Sequence, residues 1–216
     1  CHQCRRPLCV AGCPLSVRIP EFIKLIIAGD AVEAGRLIKQ DNALPRVCGR
    51  VCPQTEQCEG ACILKRKGQP IAIGALESFA ADALATQEAQ PQAEVKAEGL
   101  ARVALVGSGP ACLSCAGDLA KAGLDVTVFE AFHDFGGVLR YGIPEFRLPK
   151  AIVKNEIDSL SALGVHFVPN TLIGSTYAIH DLIEQEHFDA VFIGTGAGLP
   201  NFLNISGESL VGVYSA

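Results

Sequence analysis

Eight of the ten cysteines fall in two short blocks, Cys1-x2-Cys4-x4-Cys9-x3-Cys13-Pro14 and Cys48-x3-Cys52-x5-Cys58-x3-Cys62. Soft thiolates this close together on irregular loops are ligands for an iron–sulfur cluster. Eight would suffice for two four-iron clusters, and the proline after Cys13 matches the bacterial ferredoxin run, in which the fourth cysteine serves the other cluster. The rival metal is zinc. Zinc ribbons pair two C-x2-C knuckles, and only Cys1 and Cys4 have that spacing here. A disulfide framework belongs to small secreted domains. Plain core cysteines would not crowd into polar loops.

The second constellation is Gly107-Ser108-Gly109-Pro110-Ala111-Cys112, after one apolar run and before a helical one. The first glycine makes a tight turn. The second lets backbone approach a pyrophosphate, which then sits on a helix N-terminus. Glu130 ends the next strand, 23 positions after Gly107, where an acid can bind a ribose hydroxyl pair. The turn alone does not separate FAD from NAD. The glycine-rich crossing that follows, from His133 through Pro144, suits a large ligand lying extended. A later strand ends in Gly194-Thr195-Gly196-Ala197, another close backbone approach. Cys112 and Cys115 share one helical face, either as a redox disulfide or, the favoured reading, as small residues packing helix on sheet.

The elements that must position these groups are legible from periodicity and punctuation. Residues 1–15 and 43–62 read as cysteine-rich loops. Helices are expected from Ile19 to about Asp30, over Ala31–Gln40, over Ile71–Thr86, over Pro110–Gly123 and over Pro149–Leu163. Strands are expected over Arg102–Val106, Asp125–Phe129, Val165–Val168 and Asp189–Ile193. The fold class is α+β: a helical domain over 1–86, a polar linker over 87–100, and the first half of an α/β Rossmann-like domain over 101–216.

Composition sets the limits. With 49% hydrophobic and 19% charged residues, a packed core is expected rather than disorder. Residues 1–80 carry net charge +4 and the remainder −9, together the −5 of the whole chain. The basic half lacks a stripe with interleaved aromatics, so no nucleic-acid partner is expected; nearby cations would offset anionic clusters. The uncharged stretch Val103–Gly117 is too short to cross a bilayer. No membrane association and a cytoplasmic location are expected.

The segments CHQCRRPLCVAGCP, LPRVCGRVCPQTEQCEGAC, PIAIGALESFAAD, VALVGSGPA, FGGVLRYGIPEFRLPK and FDAVFIGTGAGLP resemble the small (beta) subunit family of NADPH-dependent glutamate synthase. That family includes the flavin subunits of sulfide dehydrogenase and of NADH-dependent ferredoxin:NADP oxidoreductase, and the N-terminal part of dihydropyrimidine dehydrogenase. The resemblance implies two [4Fe-4S] clusters with interleaved ligands. One takes Cys1, Cys4, Cys9 and Cys62. The other takes Cys13, Cys52, Cys58 and an oxygen ligand that falls on Glu77, leaving Cys48 free. It implies FAD contacts at Gly107, Ser108, Gly109, Pro110, Ala111, Glu130, Gly137, Val138, Arg147, Gly194, Thr195, Gly196 and Ala197, with Val51 beside the isoalloxazine. Cys112 stands where glycine is usual, and whether its larger side chain pushes the helix off the strand and weakens FAD binding is left open by the sequence.

The resemblance further implies an oxidoreductase passing electrons from NAD(P)H through FAD and the clusters. The acceptor would be a partner such as a glutamate synthase large subunit or a ferredoxin-type protein. A reductase module of the dihydropyrimidine dehydrogenase type is the alternative, and a zinc-stabilised binding module the rival outside enzymes. No catalytic acid, base or nucleophile is expected in this stretch. The chain is expected to be truncated at both ends, without the nicotinamide domain, and inactive alone toward NAD(P)H.

Overall fold

A computed structural model describes residues 1–87, 101–198 and 203–213. Apart from Gln87, the expected linker 87–100 lies outside the described residues.

The N-terminal part is helical, with α1 (Leu8–Ala11), α2 (Ile19–Ile27), α3 (Ala31–Asp41), α4 (Pro45–Val51), a 3-10 turn (Ile63–Lys67) and α5 (Ile73–Gln87). Pro20 lies in the first turn of α2, where a fixed φ helps and the missing N–H is not needed. Asp30 caps α3 by accepting from the Glu33 N–H at 3.0 Å. Phe22, Ile38, Ile73 and Ala80 fill a small core with the buried Cys58. Helices α4 and α5 approach closely at Gly49, where a β-carbon would fall 2.5 Å from Ser78 Oγ and 2.9 Å from the Gly74 carbonyl.

The C-terminal part is a parallel sheet in the order β3-β2-β1-β4, from β1 (Arg102–Val106), β2 (Asp125–Phe129), β3 (His166–Val168) and β4 (Ala190–Ile193). Between them run α6 (Pro110–Lys121), α7 (Val138–Tyr141), α8 (Lys150–Ala162) and α9 (Ile179–Glu184). The strands alternate faces. Val103, Leu105, Val126 and Val128 pack with α6 and α8, and Ala104, Val106 and Phe129 pack with Leu182 of α9 and Phe188.

The two parts share one core. Ala43, Leu44 and Val47 of the helical part belong to the same buried cluster as Leu105, Val128 and Leu160. Lys121 Nζ donates to the Lys39 carbonyl at 2.8 Å across the junction. The expected architecture, a helical domain followed by a Rossmann-like α/β unit, is the observed one.

The differences are local. Residues 43–62 are not all loop, because Pro45–Val51 is a helix with Pro45 in its first turn and Val47 and Gly49 buried. One-turn helices α1 and α7 interrupt segments expected to be irregular, and α9 was not anticipated. Helices this short form because packing holds them, since nucleation alone is unfavourable.

Candidate functional site

The chemistry-bearing side chains gather in two places, the cysteine loops around α4 and the C-terminal edge of the sheet. Cys1, Cys4, Cys9 and Cys62 line one cavity of about 410 Å³, counting the space at its mouth, with Ile19 and Ile73 on its wall. Burial raises the Cys9 thiol pKa, and the neighbouring Cys62 and Cys4 add to the shift. Cys62 comes from the second sequence block and the other three from the first, so the blocks interleave in space. Among the described residues no three His, Cys, Asp or Glu side chains converge on a point for a single ion. Four thiols around a shared volume suit a polynuclear cluster.

A second group forms beside α4. Burial pushes the Cys58 thiol up to about 11, with Cys13, Glu59 and Glu77 nearby adding to the effect. Cys52 feels Glu77, Cys13 and Cys58, yet its pKa is lowered because the Cys48 thiol hydrogen-bonds to it. The Cys48 thiol is correspondingly raised, first by that bond and then by burial. Cys13, Cys52, Cys58 and Glu77 are therefore neighbours, drawn from three separate segments. Cys48 stands next to Cys52.

Glu77 lies on α5, 9% exposed, and burial pushes its carboxyl up to about 7 against the lowering effect of Asn42. Asn42 Nδ2 donates to Glu77 Oε1 at 2.9 Å. The Asn42 Oδ1 accepts the Leu44 N–H at 2.9 Å and the Cys48 thiol at 3.7 Å. Asn42 thus links the start of α4, the spare thiol and the carboxylate. Sequence reasoning missed it, although an Asn two residues before a helix N-cap is the signal of an Asx turn.

At the sheet edge, Gly107 has φ +98, and a β-carbon there would fall 2.5 Å from the Gly194 carbonyl. The turn after β1 and the turn after β4 therefore touch. Gly109 caps the N-terminus of α6, whose dipole favours an anion. A β-carbon on Gly137 would fall 2.9 Å from the Gly109 Cα, so the crossing returns over the same turn. Val138, 55% exposed, begins α7 next to it. Thr195, Gly196 and Ala197 are exposed. Arg147 is also exposed, and its backbone N–H bonds to the Pro144 carbonyl at 3.0 Å. No contact ties its side chain to the turn among the described residues.

Glu130 sits beneath the turn. It accepts the Ser108 N–H at 2.9 Å and the Ser108 hydroxyl through Oε2, and the Phe132 N–H at 3.0 Å through Oε1. Ser108 Oγ in turn accepts the Gly136 N–H at 2.9 Å. Glu130, 5% exposed, therefore braces the turn with three of the roughly four acceptor positions of a carboxylate.

Cys112 does not push α6 away. Its fully buried sulfur lies 3.4 Å from the Val106 carbonyl and 3.7 Å from the Gly194 carbonyl, in room left by the missing side chain at 194. Burial pushes its thiol up to about 11, and Cys115 packs against the same core. Both cysteines are free, in keeping with a packing role.

Val51 ends α4 and packs against the core of the nucleotide half. One residue later Cys52 belongs to the second thiol group. The thiols and the glycine turn are thus tied to one core, and the pairing of such a cysteine loop with such a turn is specific. Residues 101–215 match the pyridine nucleotide-disulphide oxidoreductase family. The chain belongs to that family. Residues 1–89 match the family described as dihydropyrimidine dehydrogenase domain II, 4Fe-4S cluster.

Curated relatives extend over both halves. The putative oxidoreductase AegA of Escherichia coli (strain K12) is 38% identical over 100% of this chain and 33% of its own length. The glutamate synthase [NADPH] small chain of the same organism is 35% identical over 100% of this chain and 45% of its own. The glutamate synthase [NADH] of Saccharomyces cerevisiae is 40% identical over 97% of this chain and 10% of its own. The resemblance read from the cysteine blocks and the GIPEFRLPK segment holds, and the chain spans less than half the length of each of these relatives. Among the described residues no helix is long and apolar enough to cross a membrane.

Proposed function

We propose that the chain is the cluster-bearing and flavin-binding part of an electron-transfer oxidoreductase that draws on NAD(P)H. The observation that carries this reading is the sorting of interleaved cysteines into two groups, one of them beside α4, while Val47 and Val51 of the same helix pack on the core of the nucleotide half. Cys1, Cys4, Cys9 and Cys62 would hold one [4Fe-4S] cluster. Cys13, Cys52, Cys58 and Glu77 would hold the other, with Cys48 unliganded. Bound FAD supplies the conversion between two-electron and one-electron transfer.

The chain's own residues then do three things. The Gly107–Ala111 turn, the α6 N-terminus and the facing Gly137 and Gly194–Ala197 segments cradle the dinucleotide, with Glu130 at a ribose hydroxyl. The exposed Val138 and Arg147 flank that cradle on the crossing. Val51 brings Cys52 close to the flavin half, so a cluster held by Cys13, Cys52, Cys58 and Glu77 would be the nearer relay. The group at Cys62 is the outer one. Its Cys1 member is exposed, on the side where a partner, either a large subunit of the glutamate synthase kind or a ferredoxin-type protein, would take up electrons from a cluster held there. A cytoplasmic setting belongs to the same reading.

The test is anaerobic purification with iron, sulfide, zinc and flavin measured per chain. About eight irons and eight sulfides are expected for two four-iron clusters. Stoichiometric zinc without sulfide, persisting after cluster reconstitution, would replace this reading by a zinc-stabilised binding module.

A further inference from the structure

Many cations of this chain are engaged. Arg18 pairs with Asp41, Arg46 and Arg50 with Asp82, Arg140 with Asp134, and Lys154 with Asp158. Five others, Arg5, Arg6, Lys65, Arg66 and Lys67, are exposed, and none makes an ion pair or side-chain hydrogen bond with another described residue. All five flank Leu8 or Cys62 in sequence.

Lys65 and Arg66 line an open groove with Leu8, Ala61, Cys62 and Ile63, and no carboxylate contributes to its lining. Leu8 and Ile63 are 47% and 38% exposed. Leu8, Cys62 and Ile63 also form part of the wall of the thiol cavity, so one layer of side chains separates groove from cavity. The cavity itself is lined by no lysine or arginine. Cations placed to offset thiolate charge would face the cavity; Lys65 and Arg66 line the groove instead, and Arg5, Arg6 and Lys67 lie beside its lining residues in sequence. An unpaired basic rim around apolar contacts, on a chain of net charge −5, is the complement of an acidic protein surface.

We propose that this groove, floored by Leu8 and Ile63, lined by Lys65 and Arg66 and followed or preceded in sequence by the exposed Arg5, Arg6 and Lys67, docks an acidic one-electron carrier protein against the Cys62 wall. The proposal rests on the redox reading above for the nature of its partner. Its geometry places the carrier one side chain from the outer thiol group.

The experiment measures binding of an oxidised, acidic [2Fe-2S] ferredoxin to the cluster-loaded chain by titration calorimetry at low and high salt. The variants are Lys65→Glu/Arg66→Glu and, as a control on another face, Lys154→Glu. The expected result is that the double reversal weakens binding at low salt by about tenfold or more, as does raising the salt, while the control stays within about twofold. Iron and sulfide contents should stay the same in all three chains. Binding indifferent to both salt and charge reversal would overturn the surface and leave the redox reading standing. So would a double reversal that abolishes binding to a single-stranded oligonucleotide but not to the ferredoxin. Charge-dependent ferredoxin binding by a chain that holds no iron or sulfide would keep the surface and overturn the redox reading.

Discussion

The sulfur of Cys112 occupies the space that a side chain at Gly194 would need: a β-carbon built on Gly194 falls 2.4 Å from Cys112 Sγ. The two positions, 82 apart in sequence, divide one volume between α6 and the end of β4. Gly194→Ala is therefore expected to overpack the site and destabilise the chain by about 1–3 kcal/mol. Cys112→Ala should be milder, and the double variant should recover most of the loss. Thermal unfolding of the four chains forms a double-mutant cycle, and a coupling energy near zero would mean that the two positions do not share this space.

Gly107→Ala tests the cradle. A side chain at φ +98 is strained, and its β-carbon would meet the Gly194 carbonyl at 2.5 Å. The turn must shift, and the expected outcome is loss of most bound flavin, read from the absorbance of the purified chain, with iron and sulfide unchanged. Full flavin content in this variant would place the dinucleotide elsewhere.

Much of this arrangement was legible in the sequence. Arg102–Val106 and Asp125–Phe129 are strands with the expected bounds, because each is a short apolar run closed by a glycine or a charge. The glycine turn was legible because only backbone without a β-carbon fits where Gly107 meets Gly194. Helix α4 was hidden because Cys48, Gly49 and Cys52 give it a loop-like composition, and its helical form depends on burying Val47 in the core it shares with α8. The grouping of thiols came from the family resemblance and not from spacing. Spacing counts Cys48 as a ligand and keeps the blocks apart, whereas folding sets Cys62 with Cys4 and Cys9. The brace from Glu130 to Ser108 has no spacing rule at all, since it depends on how β2 ends under the turn.

The eighth ligand separates spacing from folding. Under the proposed assignment, Glu77→Ala should cut iron and sulfide from about eight to about four per chain, and Cys48→Ala should leave both near eight. The reverse result would make Cys48 the ligand. Asn42→Ala should keep the clusters but lower stability by about 1–3 kcal/mol, because the Leu44 N–H and Glu77 both lose a buried partner. It should also shift the potential of one cluster in an anaerobic redox titration, since outer hydrogen bonds tune a metal ligand. An unchanged potential would limit Asn42 to capping α4.

Glu156 is the buried carboxylate at the junction of the two halves. It lies on α8, 5% exposed, and faces Lys39 of α3, Arg46 and Arg50 of α4 and Asp82 of α5. Burial raises its pKa, and the three cations offset that only in part. A raised carboxyl pKa means that the folded chain holds a proton the unfolded chain has released. This residue's contribution therefore favours folding at low pH, and it declines as pH rises from the unfolded value of about 4.3 through the higher folded one. Glu156→Gln should be more stable than the parent at about pH 8, and the gap should close toward about pH 5 as Glu156 takes up its proton. Thermal unfolding of the cluster-loaded chains at both pH values checks the sign. A Gln variant less stable at the higher pH would mean that Arg46 and Arg50 hold Glu156 as a net stabilising ion pair, and that the junction depends on its charge.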